Sequence, residues 1–345
     1  MNRFQNSVPL EIIWNDMDNY TIKKPLLLAP MAEISHRALR ELIASFGGCD
    51  EYYTEMISAG ALVGNGPFES YYTDGGPCPG RVVYQLAGAD GGQLAAAAAI
   101  LDRKEKAGID INMGCSAPAI ARTGAGVRWM ASPDRAGEMI RRVRREVKGR
   151  LSVKLRTGME DDPEYLIRFC RRLESEGVER IALHPRTAKE KFKRRPRWEY
   201  VGLLRGALGI PVVGNGDVNS PEELVRRAAG DNDGVMIGRL AVRAPWIFAQ
   251  VRRSAPALPE RVNLEETALR FLELLARYQP REFLLSRARR FFAYFCDNLL
   301  WGTYVKNRLA REQELSAMAR LLSAYFREHP DQRELPVPGV SPGPA

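Results

Sequence analysis

Eight short apolar runs of strand character lie between residues 25 and 251, most of them followed by a stretch with helical spacing. The runs are Pro25–Pro30, a weaker one at Asp50–Thr54, Arg81–Leu86, Ile109–Asn112, Leu151–Arg156, Arg180–Leu183, Ile210–Val213 and Gly234–Ile237. The helical stretches are Ser35–Phe46, Gly92–Ala107, Pro133–Lys148, Pro163–Gly177, Pro221–Ala229 and Ala244–Val251. Strands that stay apolar along their whole length, set between helices, belong to a parallel sheet covered on both faces. Eight such units over about 250 residues match a (β/α)₈ TIM barrel better than an open doubly wound sheet. Ser132-Pro133 and Ser220-Pro221 each set an N-cap residue before a proline at the first helical position.

After about residue 255 the strand signal stops, and Leu264–Tyr278, Phe283–Leu300 and Gln313–Glu328 read as consecutive amphipathic helices. The expected organisation is therefore a barrel over 1–255, a helical domain over 256–335, and a disordered Pro- and Gly-rich tail over 336–345.

Composition removes several alternatives. With 45% hydrophobic and 27% charged residues, the chain is globular rather than disordered. Its five cysteines form no C-x-x-C pair, which argues against a zinc ribbon, an iron–sulfur cluster or a disulfide framework. Cys49, Cys78, Cys170 and Cys296 read as buried small hydrophobes. The first twenty residues lack the apolar core of a signal peptide, and no run approaches the ~20 apolar residues of a membrane span. A cytoplasmic monomer with no metal and no membrane contact is the expectation. The net charge of +9 points to an anionic partner such as nucleic acid.

In a (β/α)₈ barrel the active site gathers at the C-terminal strand ends. Those ends here carry Ala29-Pro30-Met31-Ala32, Thr54-Glu55-Met56, Gln85, Asn112-Met113-Gly114-Cys115, Lys154-Leu155-Arg156, His184-Pro185-Arg186, Asn215-Gly216-Asp217 and Gly238-Arg239. Asn215, Gly216, Asp217, Gly238 and Arg239 follow strands seven and eight, where backbone N–H groups of such barrels commonly hold a phosphate; tight turns without a ligand explain them equally well. Lys154 in a barrel interior is costly to bury without an anion, which a reduced flavin would supply near N1. A structural ion pair is the alternative for that lysine. Gln85 and His184 could each hydrogen-bond an isoalloxazine edge. Cys115, in a Gly-rich loop beside Asn112 and opposite Lys154 and Arg156, is placed to give a proton to an activated alkene such as the C5–C6 bond of uracil.

The blocks PLLLAPMAEISHRALR, YTEM, VYQLAG, IDINMGC, TGAGVRWM, LSVKLRTG, LHPRT, PVVGNGDV and GVMIGRLAVRAPWIF together resemble the dihydrouridine synthase family over roughly residues 24–250. The helical region beyond is similar to that family's RNA-binding domain. The resemblance implies a flavoenzyme that uses FMN and NADPH to reduce uridine in folded RNA, normally tRNA. It implies that Pro30, Met31, Ala32, Gln85, Lys154, His184, Asn215, Gly216, Asp217, Gly238 and Arg239 hold the flavin. Cys115 matches the proton donor, and Asn112 and Arg156 match positions that contact a flipped uracil.

Two departures stand out. The family reads Gly-Cys-Pro where this chain has Gly114-Cys115-Ser116-Ala117-Pro118, which bears on where the thiol is held. The loop after strand six, HPRTAKEKFKRRPRWEY, is filled with basic residues, and Arg186, Lys193, Arg194 and Arg195 are expected to meet RNA phosphate rather than serve only as a solvated face. A second basic cluster, Arg287–Arg290, is the RNA candidate of the helical domain, whereas Arg141–Arg145 reads as barrel exterior. Competing readings are an FMN barrel reductase of a small pyrimidine or enone, a synthase acting on rRNA, and an RNA-binding protein that retains a flavin site.

Overall fold

A computed structural model of the chain describes residues 22–252 and 259–337. The N-terminal segment, the 255/256 domain boundary and the tail beyond residue 337 lie outside the described residues. Eight parallel strands close into a barrel in chain order: β1 (Leu26–Leu28), β2 (Glu51–Ser58), β3 (Val82–Ala87), β4 (Gly108–Met113), β5 (Leu151–Gly158), β6 (Arg180–Thr187), β7 (Val212–Asn215) and β8 (Val235–Ile237). Closure comes from β1 pairing with β8 through Leu26–Val235, Leu27–Met236 and Leu28–Ile237. The expected (β/α)₈ barrel is the fold of this chain.

Around it stand α1 (Arg37–Ser45), the short α2 (Ala59–Val63) and α3 (Glu69–Tyr72), α4 (Gly91–Asp102), the short α5 (Pro118–Ala121), α6 (Pro133–Glu146), α7 (Pro163–Ser175), α8 (Glu199–Ala207), α9 (Pro221–Ala229), α10 (Arg239–Arg243) and α11 (Ile247–Arg252). The two serine caps form as the sequence predicts, with Ser132 Oγ accepting from Arg135 N and Ser220 Oγ from Glu223 N. Strand alternation sorts the apolar residues into two clusters. A large one fills the space between strands and helices, and a small one of Leu27, Ala29, Tyr53, Val83, Ala182, Val213 and Met236 fills part of the barrel lumen. Polar side chains occupy the remainder of the lumen, and they become the site.

The helical module comprises α12 (Leu264–Tyr278), α13 (Leu284–Phe295), α14 (Gly302–Leu309) and α15 (Leu315–Glu328). Its core is aromatic: Phe271 stacks on Phe291 at 3.7 Å between centroids, and Phe291 on Phe295 at 5.0 Å. The strand signal does not end at 255 as expected. Antiparallel β9 (Arg261–Asn263) and β10 (Glu334–Pro336) pair to tie the start of the module to its end. Three-residue strands carry too little periodicity to be read from sequence. Pro336 and Val337 are likewise not tail, because Pro336 pairs with Arg261, and Val337 is buried and donates to the Glu260 carbonyl. Among the described residues no helix is long and apolar enough to cross a membrane.

Candidate active site

The site is built from residues two apart on neighbouring strands, which the barrel register sets side by side. Gln85 is level with Asp110, Asn112 with Lys154, and Arg156 with His184. A buried hydrogen-bond chain runs across them. Ser152 Oγ donates to Asp110 Oδ1 at 2.6 Å, and Gln85 Nε2 donates to Asp110 Oδ2 at 2.7 Å. Asn112 Nδ2 donates to Gln85 Oε1 at 2.8 Å, and Asn112 Oδ1 accepts from the backbone of Cys115 at 2.9 Å and Gly114 at 3.2 Å. Burial pushes the Asp110 carboxyl up to about 6 against the pull of Ser152, Gln85 and Lys154.

This chain corrects one expectation. Gln85, expected against the flavin ring, has no exposed surface, and its amide is committed to Asp110 and Asn112. It braces the asparagine that holds the Cys115 loop.

The half-buried Cys115 is a free thiol. Its loop is fixed from three sides. Asn112 holds its amide, Val127 N donates to its carbonyl at 3.0 Å, and Arg156 Nε donates to the Gly114 carbonyl at 3.0 Å. Gly126 permits the second contact: its φ is 61°, and a Cβ there would lie 2.4 Å from the Cys115 oxygen. Pro118, two residues later than the family pattern has it, opens the short helix α5 at N1, so in this chain Ser116 and Ala117 lead from Cys115 into that helix.

Lys154 sits in the lumen, and no hydrogen-bond acceptor among the described residues reaches its ammonium. Burial, then Arg156, push it down to about 8 despite Asp110 and Cys115. His184 is held far below its ordinary value by burial and by Lys154, Arg156, Arg186 and Arg239, so it is neutral. Arg186 Nη1 lies 3.0 Å from His184 Nε2, and a guanidinium only donates, so Nε2 accepts and the ring proton is on Nδ1. Four cations thus surround one neutral imidazole, with Asp110, Asp217 and, beside Arg156, Glu190 as the nearby acids. Such an excess calls for an anion. The groups at the mouth fit FMN: Lys154 unpaired, Met31, Asn215 and Gly238 half-buried, and Gly238 so close to Met31 that a Cβ would lie 3.2 Å from its sulfur. Pro30 and Ala32 flank Met31 at the same rim, and Gly216 takes a φ of 127° that a side chain would strain.

Asp217 has its carboxylate between Arg186 and Arg239, with Arg239 Nη2 at 2.9 Å. It orients two arginines rather than meeting a phosphate itself. Arg186 is a second correction. It is 1% exposed, bound to Asp217, His184 and the Arg194 carbonyl, and so forms no part of an RNA-facing surface. The rest of the basic loop divides. Lys189 pairs with Glu160, and Arg197 with Glu190 and Asp161, whereas Lys193, Arg194 and Arg195 are exposed and have no acidic partner among the described residues.

Sequence reasoning missed Phe192. It is 63% exposed on that loop, its ring 6.0 Å from that of His184 and within cation–π reach of Arg156 (5.6 Å) and Arg239 (5.4 Å). An apolar side chain inside a basic run was the available signal.

The helical cluster is also largely consumed. Arg287 is 2% exposed and paired with Glu55 at 3.0 Å, Arg289 donates to the Glu312 carbonyl, and Arg290 to Glu33. Arg287 and Arg289 are thus taken up within the protein, while Arg290 stays exposed beside Glu33, so the cluster is not the wholly free basic face expected. Arg141 and Arg144, by contrast, pair with Glu176 and Glu179 on the barrel exterior as expected. Cys78 is half-buried rather than a core residue, while Cys49, Cys170 and Cys296 are buried. Among the described residues no cluster of metal-ligating side chains forms.

Comparison with known proteins gives a consistent result. A family model described as dihydrouridine synthase matches residues 27–335. The chain is 33% identical over 273 residues to a probable tRNA-dihydrouridine synthase of Aquifex aeolicus, covering 75% of this chain and 83% of that protein. It is 28% identical over 324 residues to a probable tRNA-dihydrouridine synthase of Rhodobacter capsulatus, covering 90% and 98%. Among solved structures, a 2-naphthoyl-CoA reductase complex superposes with a TM-score of 0.53 at 12% identity over 70% of this chain and 51% of that one, a likeness of fold alone.

Proposed function

The chain belongs to the dihydrouridine synthase family, and on that premise we propose that it reduces uridine to 5,6-dihydrouridine in tRNA with FMN and NADPH. The observation that carries this reading is Lys154, an ammonium in the barrel lumen that no hydrogen-bond acceptor among the described residues reaches, held level with Asn112 and near the Cys115 thiol. FMN held in this cradle would supply the hydride chemistry that reduces C6 of uracil, with NADPH as the reductant.

The protein's own residues do the rest. Lys154 meets the electron-rich edge of the ring, and neutral His184 offers Nδ1–H as a donor. Pro30, Met31, Ala32, Asn215, Gly216, Gly238 and Arg239 form the cradle for ring, ribityl chain and phosphate, with Asp217 holding Arg239. Cys115 holds the proton destined for uracil C5. Asn112 retains one amide N–H, and Arg156 retains Nη2, which makes no hydrogen bond within the described protein; both are free to meet the uracil edge. Because these groups sit inside the barrel, the target nucleotide would leave its stack to reach them. Phe192 over the mouth helps keep water out, and Lys193, Arg194 and Arg195 attract the RNA backbone.

The barrel performs the chemistry, and the helical module, from β9 to β10, holds the RNA in place. A cytoplasmic location accords with a tRNA substrate. The test is a map of dihydrouridine in total RNA from cells with and without the gene, together with the visible spectrum of purified protein supplied with FMN. Loss of dihydrouridine at defined tRNA positions and a bound-flavin spectrum are expected. An unchanged map, or a protein that takes up no FMN, contradicts the reading.

A further inference from the structure

The β1 loop that carries Met31 also holds Glu33, a non-glycine residue with φ 62°, in the left-handed region. Such a conformation persists only where its surroundings hold it. Here the Glu33 amide donates to Glu55 Oε1 at 2.6 Å, and its carboxylate accepts from Arg290 Nε at 2.7 Å. The other oxygen of Glu55 meets Arg287 Nη2 at 3.0 Å. Glu55 is at the mouth end of β2, whereas Arg287 and Arg290 are on α13, so one carboxylate bonds a barrel turn and the helical module at once. Both members of the Glu55–Arg287 pair are sealed from solvent, at 3% and 2% exposure, with the guanidinium over the rings of Phe283 and Tyr72. A sealed ion pair is poor at adding stability, and in some proteins such pairs instead fix how elements are set against each other.

We propose that Glu55 is a positioning residue shared by the two modules. Through the Glu33 amide it fixes the β1 loop against the Gly238 turn of the flavin cradle, and through Arg287 it fixes α13 on the barrel rim. The flavin and the RNA-holding helices are thereby referred to one atom group. The inference rests on the functional reading above. It predicts that cutting the joint on one side or on both gives different losses.

Two variants separate the arms. Arg287→Met removes the bond from Glu55 to α13, with the exposed Arg290–Glu33 pair left in place, and leaves Glu55, whose pKa burial already raises, to take up a proton and still accept from Glu33. Glu55→Met removes both links. FMN affinity is read by fluorescence quenching on the apoprotein, and RNA affinity with an unmodified tRNA transcript. For R287M the tRNA Kd rises about tenfold, equivalent to about 1.4 kcal/mol, while the FMN Kd and the visible band of bound FMN stay as in the wild type. For E55M both Kd values rise and the band shifts. An E55M protein that folds and binds FMN as the wild type does overturns the proposal, as does R287M binding tRNA with wild-type affinity. If E55M does not fold, the R287M pair of measurements decides. A wild-type chain that takes up no FMN defeats the functional reading instead, before any variant is compared.

Discussion

Arg156 Nε donates to the carbonyl of Gly114 across 3.0 Å, so the loop presenting Cys115 hangs from the neighbouring strand. The same guanidinium reaches the Lys191 carbonyl at 3.0 Å from Nη1. One side chain therefore sets the thiol loop and the basic loop relative to each other. A lysine carries a point charge in place of the planar fork and cannot hold both carbonyls. Arg156→Lys is expected to bind FMN normally but to slow tRNA-dependent reoxidation of reduced enzyme by about tenfold to a hundredfold, matching loss of a charge-assisted hydrogen bond of about 1.5–3 kcal/mol. Stopped-flow absorbance at the flavin band measures it.

The glycines of the TGAGV segment make a graded pair. Gly126 combines a φ of 61° with a Cβ position 2.4 Å from the Cys115 carbonyl, while Gly124, at φ 88°, has only Ala89 Cβ at 3.5 Å. Gly126→Ala is expected to cost about 1–3 kcal/mol and to displace the thiol loop, and Gly124→Ala to cost less. Thermal melts of the two proteins compare them directly.

Asp110 gives the barrel a pH dependence. Its folded pKa of about 6 is above the ordinary 3.8, so its contribution to stability is fully present below the unfolded value and is lost as pH rises through about 6. The loss is of order 2–3 kcal/mol. Asp110→Asn keeps an acceptor for Gln85 and removes the titration. Between pH 4.5 and 7.5 the wild type should lose stability relative to this variant, as followed by denaturant midpoints at each pH.

The exposed cations of the β6 loop make an electrostatic prediction. Replacing Lys193, Arg194 and Arg195 with Gln is expected to weaken tRNA binding and to reduce the slope of log K against log salt by about 2–3, close to one unit for each phosphate left without its cation. FMN affinity should not change. Filter binding from 50 to 300 mM salt is sufficient.

Much of this molecule was legible because it is periodic. All eight strands and the caps at Ser132 and Ser220 follow from apolar runs and N-cap chemistry. The site residues could be named because a barrel gathers its strand ends. Their hydrogen-bond partners could not be named in this way. Arg186 and Arg287 look like members of basic runs, but tertiary folding buries them against Asp217 and Glu55, which are far away in sequence. Gln85 was misread for the same reason: the residue level with it, Asp110, is fixed by register and not by spacing along the chain. Phe192 was hidden by the charges around it, and β9 and β10 were too short to show a period.

The central claim, that Cys115 gives the proton that completes uracil reduction, is tested most directly by Cys115→Ala in an anaerobic single turnover. Enzyme loaded with FMN and reduced by NADPH is mixed with unmodified tRNA, and dihydrouridine is quantified by mass spectrometry. The variant should bind FMN and be reduced by NADPH at the wild-type rate, yet form dihydrouridine at least about a hundredfold more slowly, within the range for loss of a general acid. Dihydrouridine formation at the wild-type rate would contradict the account.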